Sequence, residues 1–178
     1  MSAFTDRMIR AAKLDPSLYE EVEADSTATN QAMGVVVLSS VAAGLAMISI
    51  MGMTGLLLGT IFAIVGWLIW AWLAYFIGTN LLPEPQTQAD LGQLLRTTGF
   101  SMAPGIIKVA GIVPGLRGFV FFIASVWMLV AMVIAVRQAL DYESTWRAVG
   151  VCLIGWILQA IVLMILMRAT MSEFPDTL

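Results

Sequence analysis

QAMGVVVLSSVAAGLAMISIMGMTGLLLGTIFAIVGWLIWAWLAYFI, residues 31–77, decides the fold. It holds no charged residue, and none occurs anywhere between Asp25 and Glu84. A helix crosses the hydrocarbon core with about 20 apolar residues, so the run is far too long for one crossing and fits two. The first span is expected over 31–50 and the second over 55–77, with MGMTG at 51–55 as the tight turn between them. Trp67, Trp70, Trp72 and Tyr75 crowd the far end of the second span, where an interfacial aromatic belt would sit.

The rest of the chain agrees with a membrane setting. Hydrophobic residues make up 60% and charged residues 12%, against about 25% charged in a soluble domain. That leaves too little polar surface to cover a water-facing globule. With no His and one cysteine, Cys152, the usual ligands for a metal or haem are lacking and no disulfide can close within the chain. The net charge is -3, and no basic stripe suggests nucleic acid. Residues 1–25 contain no apolar core of a signal peptide, so the first span is expected to act as the insertion signal.

Outside the first two spans, three more apolar segments follow. Residues 118–138 and 146–167 read as ordinary spans. The third segment, TTGFSMAPGIIKVAGIVP at 97–114, does not. Pro104, Gly105, Gly111 and Pro114 interrupt it, and proline removes a donor and kinks a helix. Irregular backbone at membrane depth survives only inside protein or beside a water-filled cavity, so a short, kinked or broken helix enclosed by its neighbours is expected. Ahead of it, residues 88–97 suggest a short surface helix.

The expected architecture is therefore an all-α polytopic bundle of about five transmembrane helices. Residues 1–29 form a cytosolic N-terminal segment, 30–168 the membrane domain and 169–178 a short polar tail. Around 3–23 the apolar positions fall near helical spacing, which fits either an in-plane interfacial helix or a short helix packed on the bundle. Asp15-Pro16 marks a break or a new helix start. Arg7, Arg10, Lys13, Arg96, Arg137 and Arg147 fall on one side of a five-span topology, and Lys108, Arg117 and Arg168 on the other. The positive-inside rule then puts the N-terminus in the cytoplasm and the C-terminus outside, periplasmic or extracellular.

Small residues let helices approach closely in lipid. Gly55-x-x-x-Gly59 on the second span and Gly155 on the fifth are the expected packing positions, within the chain or between chains. Ser40 and Gly44, then Ala124, Met128, Ala131, Ala135 and Gln138, then Ala148, Cys152, Gly155 and Gln159, mark the faces expected to turn inward. Lys108 is the one ionisable residue well inside an apolar segment. It is read either as snorkelling to the interface or as lining a cavity for an anionic headgroup or substrate. Gln159 and Ser101 suit interhelical hydrogen bonds. No span contains Asp or Glu, and no catalytic dyad, phosphate loop or metal motif appears. No enzymatic activity and no cofactor are expected.

TGFSMAPGII at 98–107 resembles the Yip1-domain pattern, a Gly-aromatic-Ser followed shortly by a Pro that opens the third span. ALDYESTWRA at 139–148 resembles the link between the last two spans of bacterial members, and YEEVEAD running into TNQA fits the start. The resemblance implies five spans with a cytosolic N-terminus. It carries Gly99, Phe100, Ser101 and Pro104 as matching positions, structural in role. Eukaryotic relatives act in vesicle trafficking with Rab GTPases and with one another. Their Asp-Leu-Tyr-Gly-Pro motif does not occur here, so a GTPase partner is doubtful. The expectation is a non-enzymatic bacterial inner-membrane protein that organises membrane or scaffolds partner proteins, its contacts being the lipid bilayer, other membrane proteins or copies of itself. The alternative is a small transporter, channel or lipid-handling protein with its site at the kinked third segment. A cavity reaching Lys108 and Ser101 would favour the alternative.

Overall fold

A computed structural model of the chain describes residues 3–173, with side chains through Ile161 and at Met164. Residues 174–178 of the expected tail and the Arg168 side chain lie outside the described residues. Among them all regular structure is helical: α1 (Ala3–Ala12), α2 (Pro16–Ala24), α3 (Thr29–Phe76), α4 (Leu91–Phe100), a 3-10 helix (Ala103–Ile112), α5 (Arg117–Ala139) and α6 (Thr145–Glu173). Two helical stretches are long and apolar enough to cross a membrane, Ser26–Leu81 and Arg117–Ala139, and Thr145–Ile161 is a shorter apolar helix.

The charge-free run is α3, and it is not straight. Gly52 has φ 64° and ψ -172°, a region that glycine alone occupies without strain. A Cβ on Gly44 would lie 3.0 Å from the Leu56 side chain. In an uninterrupted helix those residues would stand about 18 Å apart. Ala32, Val35 and Val36 likewise share one buried cluster with Trp67. The run is a hairpin with arms 29–51 and 53–76, and the turn falls within the MGMTG stretch.

Two buried clusters hold the bundle. One gathers the start of the first arm, Trp67, Phe100 and the α2 residues Leu18, Tyr19 and Val22. The other joins Trp70, Ala74 and Ile77 to Met132 and Val136 of α5 and to Val151 and Cys152 of α6. Ala124, Ala131, Ala135, Ala148 and Cys152 are all buried, so α5 and α6 turn the faces that the small residues mark.

The tryptophans depart from the expected belt. Trp67 and Trp70 are buried. The Trp67 indole N–H donates to Leu95 O and Thr98 Oγ1, both at 3.2 Å, and that of Trp70 to Met132 Sδ at 3.1 Å. A buried indole needs a partner, and α4 and α5 supply it. Trp72 is 51% exposed and stacks on Phe76 with ring centroids 5.6 Å apart.

The N-terminal helices pack on the bundle. Pro16 opens α2 behind Asp15, whose carboxylate accepts from Ser17 N at 3.0 Å. Leu14, at φ 62°, turns the chain between α1 and α2. Arg7 bridges Glu21 and Asp25, each at 2.9 Å, and Arg10 pairs with Asp15 at 2.9 Å and with Glu21. These partners hold the Asp15 and Glu21 carboxyls below the usual carboxylate range. Trp127 of α5 donates to Ala12 O at 2.8 Å, fixing the end of α1.

Two residues from elsewhere finish open helix ends. Arg96, buried in α4, donates from Nε to Val22 O at 2.9 Å and from a terminal nitrogen to Glu23 O, closing the last turn of α2. The second arm of α3 ends in a π-helical turn, Ile77–Leu81. The Tyr142 hydroxyl, from the α5–α6 link, donates to Leu82 O at 2.7 Å with Gly78 O at 3.0 Å. Burial, with the nearby Glu84 charge adding to it, pushes the Tyr142 phenol up to about 12.

Candidate functional site

The third segment is built from two helices that do not continue one another. Asp90 caps α4 through Gln93 N at 2.9 Å, and the Gln93 side chain returns the bond to Asp90 N, a capping box. The helix therefore starts at Leu91 and runs to Phe100, further than the expected surface helix over 88–97. Leu94 and residues 96–100 are buried. The break comes at Ser101 and Met102, just ahead of Pro104. Met102 N bonds to Gly99 O at 3.2 Å and Gly105 N to Met102 O at 2.9 Å, three-residue steps that begin the 3-10 helix.

The residues carried by the sequence motif sit at this break. Gly99 permits a close approach: a Cβ there would lie 2.7 Å from Ala32 Cβ and 3.2 Å from Ala32 main-chain atoms. Phe100 is fully buried. Ser101 donates to Thr98 O at 2.7 Å and reaches Met132 Sδ at 3.6 Å. Pro104 is buried in the first 3-10 turn.

Three residues per turn then set the site. Met102, Gly105, Lys108 and Gly111 stack along one edge of the 3-10 helix. A Cβ on Gly105 would collide with Ser39 Oγ and sit 2.9 Å from Met128 Sδ. One on Gly111 would lie 3.1 Å from Phe121 and 3.3 Å from Ala46 Cβ. The two glycines thus let this edge press between the first arm of the hairpin and α5, and Lys108 is the long side chain left on it. Its Nζ stands 5.7 Å from the Phe121 ring centroid, a cation–π contact.

Two partly open cavities meet at Lys108. The first, about 300 Å³, lies between the hairpin arms and is lined by Ser39, Gly44, Met51 and Gly59 among others. The second, about 430 Å³, runs along α5 past Phe122 and Val126 to Trp156. Met102, Lys108 and Met128 line both. The rims include exposed apolar residues, Met51 on one side and Phe122 and Val126 on the other.

Lys108 is half-buried, and among the described residues it has no ion pair or hydrogen bond. The arginines near α1, α2 and α4 differ. Arg7 and Arg10 are paired, Arg96 and Arg137 bond main-chain carbonyls, and Arg147 reaches Glu84 at 3.3 Å. Arg117 resembles Lys108: its Nε is buried without a partner. Its backbone lies 3.5 Å from where a Gly111 Cβ would be, so both unpaired cations belong to one end of the fold.

The other expected site residues fall elsewhere. Ser101 is sealed in the core and lines neither cavity. A Cβ on Gly155 would lie 2.8 Å from the Trp70 ring. Gly59 meets no helix among the described residues. Nothing lies within 4 Å of a Cβ there, because the arms part at this level and the glycine lines the cavity instead; Gly55 lines it too. The arms meet at Gly44 and Leu56. Gln159 approaches the second arm, its Nε2 3.8 Å from a Cβ position on Gly66. Among the described residues no group of His, Cys, Asp and Glu could hold a metal ion.

A helical hairpin, a broken third segment pressed against it and two further apolar helices make an all-helical bundle with candidate membrane spans and a cleft rimmed by exposed apolar residues. A family model for the Yip1 domain matches residues 22–167, and the chain belongs to that family. No curated protein and no solved structure matches it.

Proposed function

We propose that this Yip1-domain protein is a five-span, non-enzymatic protein of the bacterial inner membrane that binds an anionic amphiphile at Lys108. The observation that carries the reading is a half-buried cation with no acceptor, set where two apolar cavities join. A half-buried ammonium with only the Phe121 ring beside it is partly desolvated at a cost, and an anionic headgroup in contact with Lys108 relieves it while apolar walls receive the rest of the ligand. The cavities reach Lys108 and not Ser101; on the Lys108 half of that expectation, lipid handling is favoured over scaffolding alone. The unpacked face at Gly59 favours self-association as a second reading, in which the protein organises membrane through copies of itself. The missing Asp-Leu-Tyr-Gly-Pro motif argues against a GTPase partner.

Several features support five spans. Each hairpin arm exceeds the roughly 20 residues a crossing needs. In the third segment α4 rises about 15 Å and the 3-10 helix about 20 Å, so a crossing there takes both. The grouping of positive residues supports a cytoplasmic N-terminus and an outer C-terminus.

The test is purification in native lipid followed by mass spectrometry of what is retained. A stoichiometric anionic lipid that is lost from Lys108→Ala, with the unfolding midpoint unchanged, is expected. A retained lipid profile equal to the bulk membrane, identical in Lys108→Ala, overturns the proposal in favour of scaffolding.

A further inference from the structure

We infer that the amphiphile at Lys108 carries two acyl chains, one in each cavity, so that the site takes a diacyl anionic lipid and discriminates against its single-chain counterpart. The inference rests on the reading of Lys108 as an anion anchor and adds the shape of the ligand to it.

The geometry has three parts. First, one cation serves both cavities, and Met102, Lys108 and Met128 form the wall they share. A single headgroup at Lys108 therefore has an apolar cavity on either side of it. Second, the two cavities lie on different helices. One is enclosed by the hairpin arms near Gly44 and Gly59, the other follows α5 from Ser125 to Trp156. A single chain fills one and leaves the other empty; two chains from one headgroup straddle the shared wall. Third, the wall between them is made of methionines, whose flexible thioethers adapt to neighbouring chains. Behind it Gly105, tight against Ser39 and Met128, holds the 3-10 edge close to both the hairpin and α5, so chains in the two cavities can join at one head.

The exposed apolar rims supply the route of entry. Met51 borders the first cavity, Phe122 and Val126 the second. Both cavities thus open where acyl chains of the bilayer lie. The unpaired Arg117 at the same end adds positive potential for the headgroup.

The experiment is a titration of the full chain in detergent micelles, read by native mass spectrometry. The probes are diacyl phosphatidylglycerol, its single-chain lyso form, diacyl phosphatidylcholine and inorganic phosphate, the lipids compared at equal mole fraction. The expected order is diacyl phosphatidylglycerol at least about tenfold tighter than either other lipid, with phosphate unable to displace it. Gly59→Leu fills the first cavity and Ser125→Leu the second. Each is expected to bring diacyl binding down to the lyso level and to leave lyso binding nearly unchanged. Equal binding of the diacyl and lyso forms, both lost in Lys108→Ala, refutes the two-chain inference and leaves the anion site standing. Displacement by phosphate refutes it as well, since the ligand is then a free anion. Binding of all three lipids that is indifferent to Lys108→Ala overturns the anion reading itself. If either leucine variant fails to fold, the wild-type chain is crosslinked with phosphatidylglycerol bearing a photoactivatable group on each chain. Adducts on both the hairpin near Gly59 and α5–α6 near Trp156 are expected, and adducts confined to one cavity refute the inference.

Discussion

Replacing Gly99 and Gly59 by alanine separates close helix packing from cavity lining by the sign of the effect. At Gly99 the added methyl would lie 2.7 Å from Ala32 Cβ and 3.2 Å from Ala32 main-chain atoms. Carbon atoms prefer about 3.5–4.0 Å, so α4 must move off the first hairpin arm by close to 1 Å. The obstacle is backbone and a side chain that cannot rotate away. Overpacking of this kind costs about 1–3 kcal/mol, and the gain from removing a helical glycine is only about 0.5–1 kcal/mol. Gly99→Ala is expected to destabilise by about 1–2 kcal/mol. Gly59→Ala meets nothing within 4 Å and is expected to stabilise by about 0.5–1 kcal/mol. Reversible unfolding in mixed micelles, followed by tryptophan fluorescence, measures both; buried Trp67 shares its cluster with Ala32 and reports on that contact. Equal stabilities for the two variants would refute the close approach of α4 to the hairpin.

Three further outcomes are expected. Burial, reinforced by Asp141, Glu20 and Asp90 and opposed by Arg96, raises the Glu23 carboxyl to about 7. The folded chain then holds this proton more tightly than the unfolded one, so the contribution of Glu23 to stability is full below the ordinary carboxylate value of about 4.5 and is lost as pH rises through 7. Linkage sets the loss at about 3 kcal/mol, reduced to about 1–2 kcal/mol by solvent at this partly exposed site. Glu23→Gln should flatten the pH profile of the unfolding midpoint, and an unchanged slope would count against the assignment. Arg96→Met leaves the Val22 and Glu23 carbonyls without their buried donor, at about 2–3 kcal/mol. Faster proteolytic loss of α1–α2 with the bundle intact is the expected result. Tyr142→Phe removes the hydroxyl that closes the π-helical turn and should cost about 1–2 kcal/mol, with hydrogen exchange rising at 77–82.

How much was legible in the sequence follows from which interactions are local. The charge-free run announces two helices because bilayer thickness limits each, and its Gly-rich middle locates the turn. Pro104 announces a break in the third segment, since a proline acts on its own helix. Alanines at helical spacing mark the buried faces of α5 and α6. What the sequence hides depends on partners far along the chain. Trp67 and Trp70 read as belt residues, because nothing nearby shows that Leu95, Thr98 and Met132 receive their indole N–H groups. Arg96 reads as one more positive charge on a short surface helix, and only the docking of α2 makes it a cap. Lys108 stands out by its charge. Its two cavities do not, because the edge joining Met102, Gly105, Lys108 and Gly111 exists only at the three-residue period of a 3-10 helix.

Gly52 also bears on how the chain is made. Without its turn, the 48 residues of α3 would form a rod about 72 Å long, more than twice the roughly 30 Å of hydrocarbon it must fit. No charge between Asp25 and Glu84 tells the insertion machinery where one span stops. The decision rests on one backbone conformation at a position where a Cβ would touch nothing. On the five-span reading proposed above, the two arms enter the membrane as a single folded pair, and the orientation of every later helix is inherited from that residue.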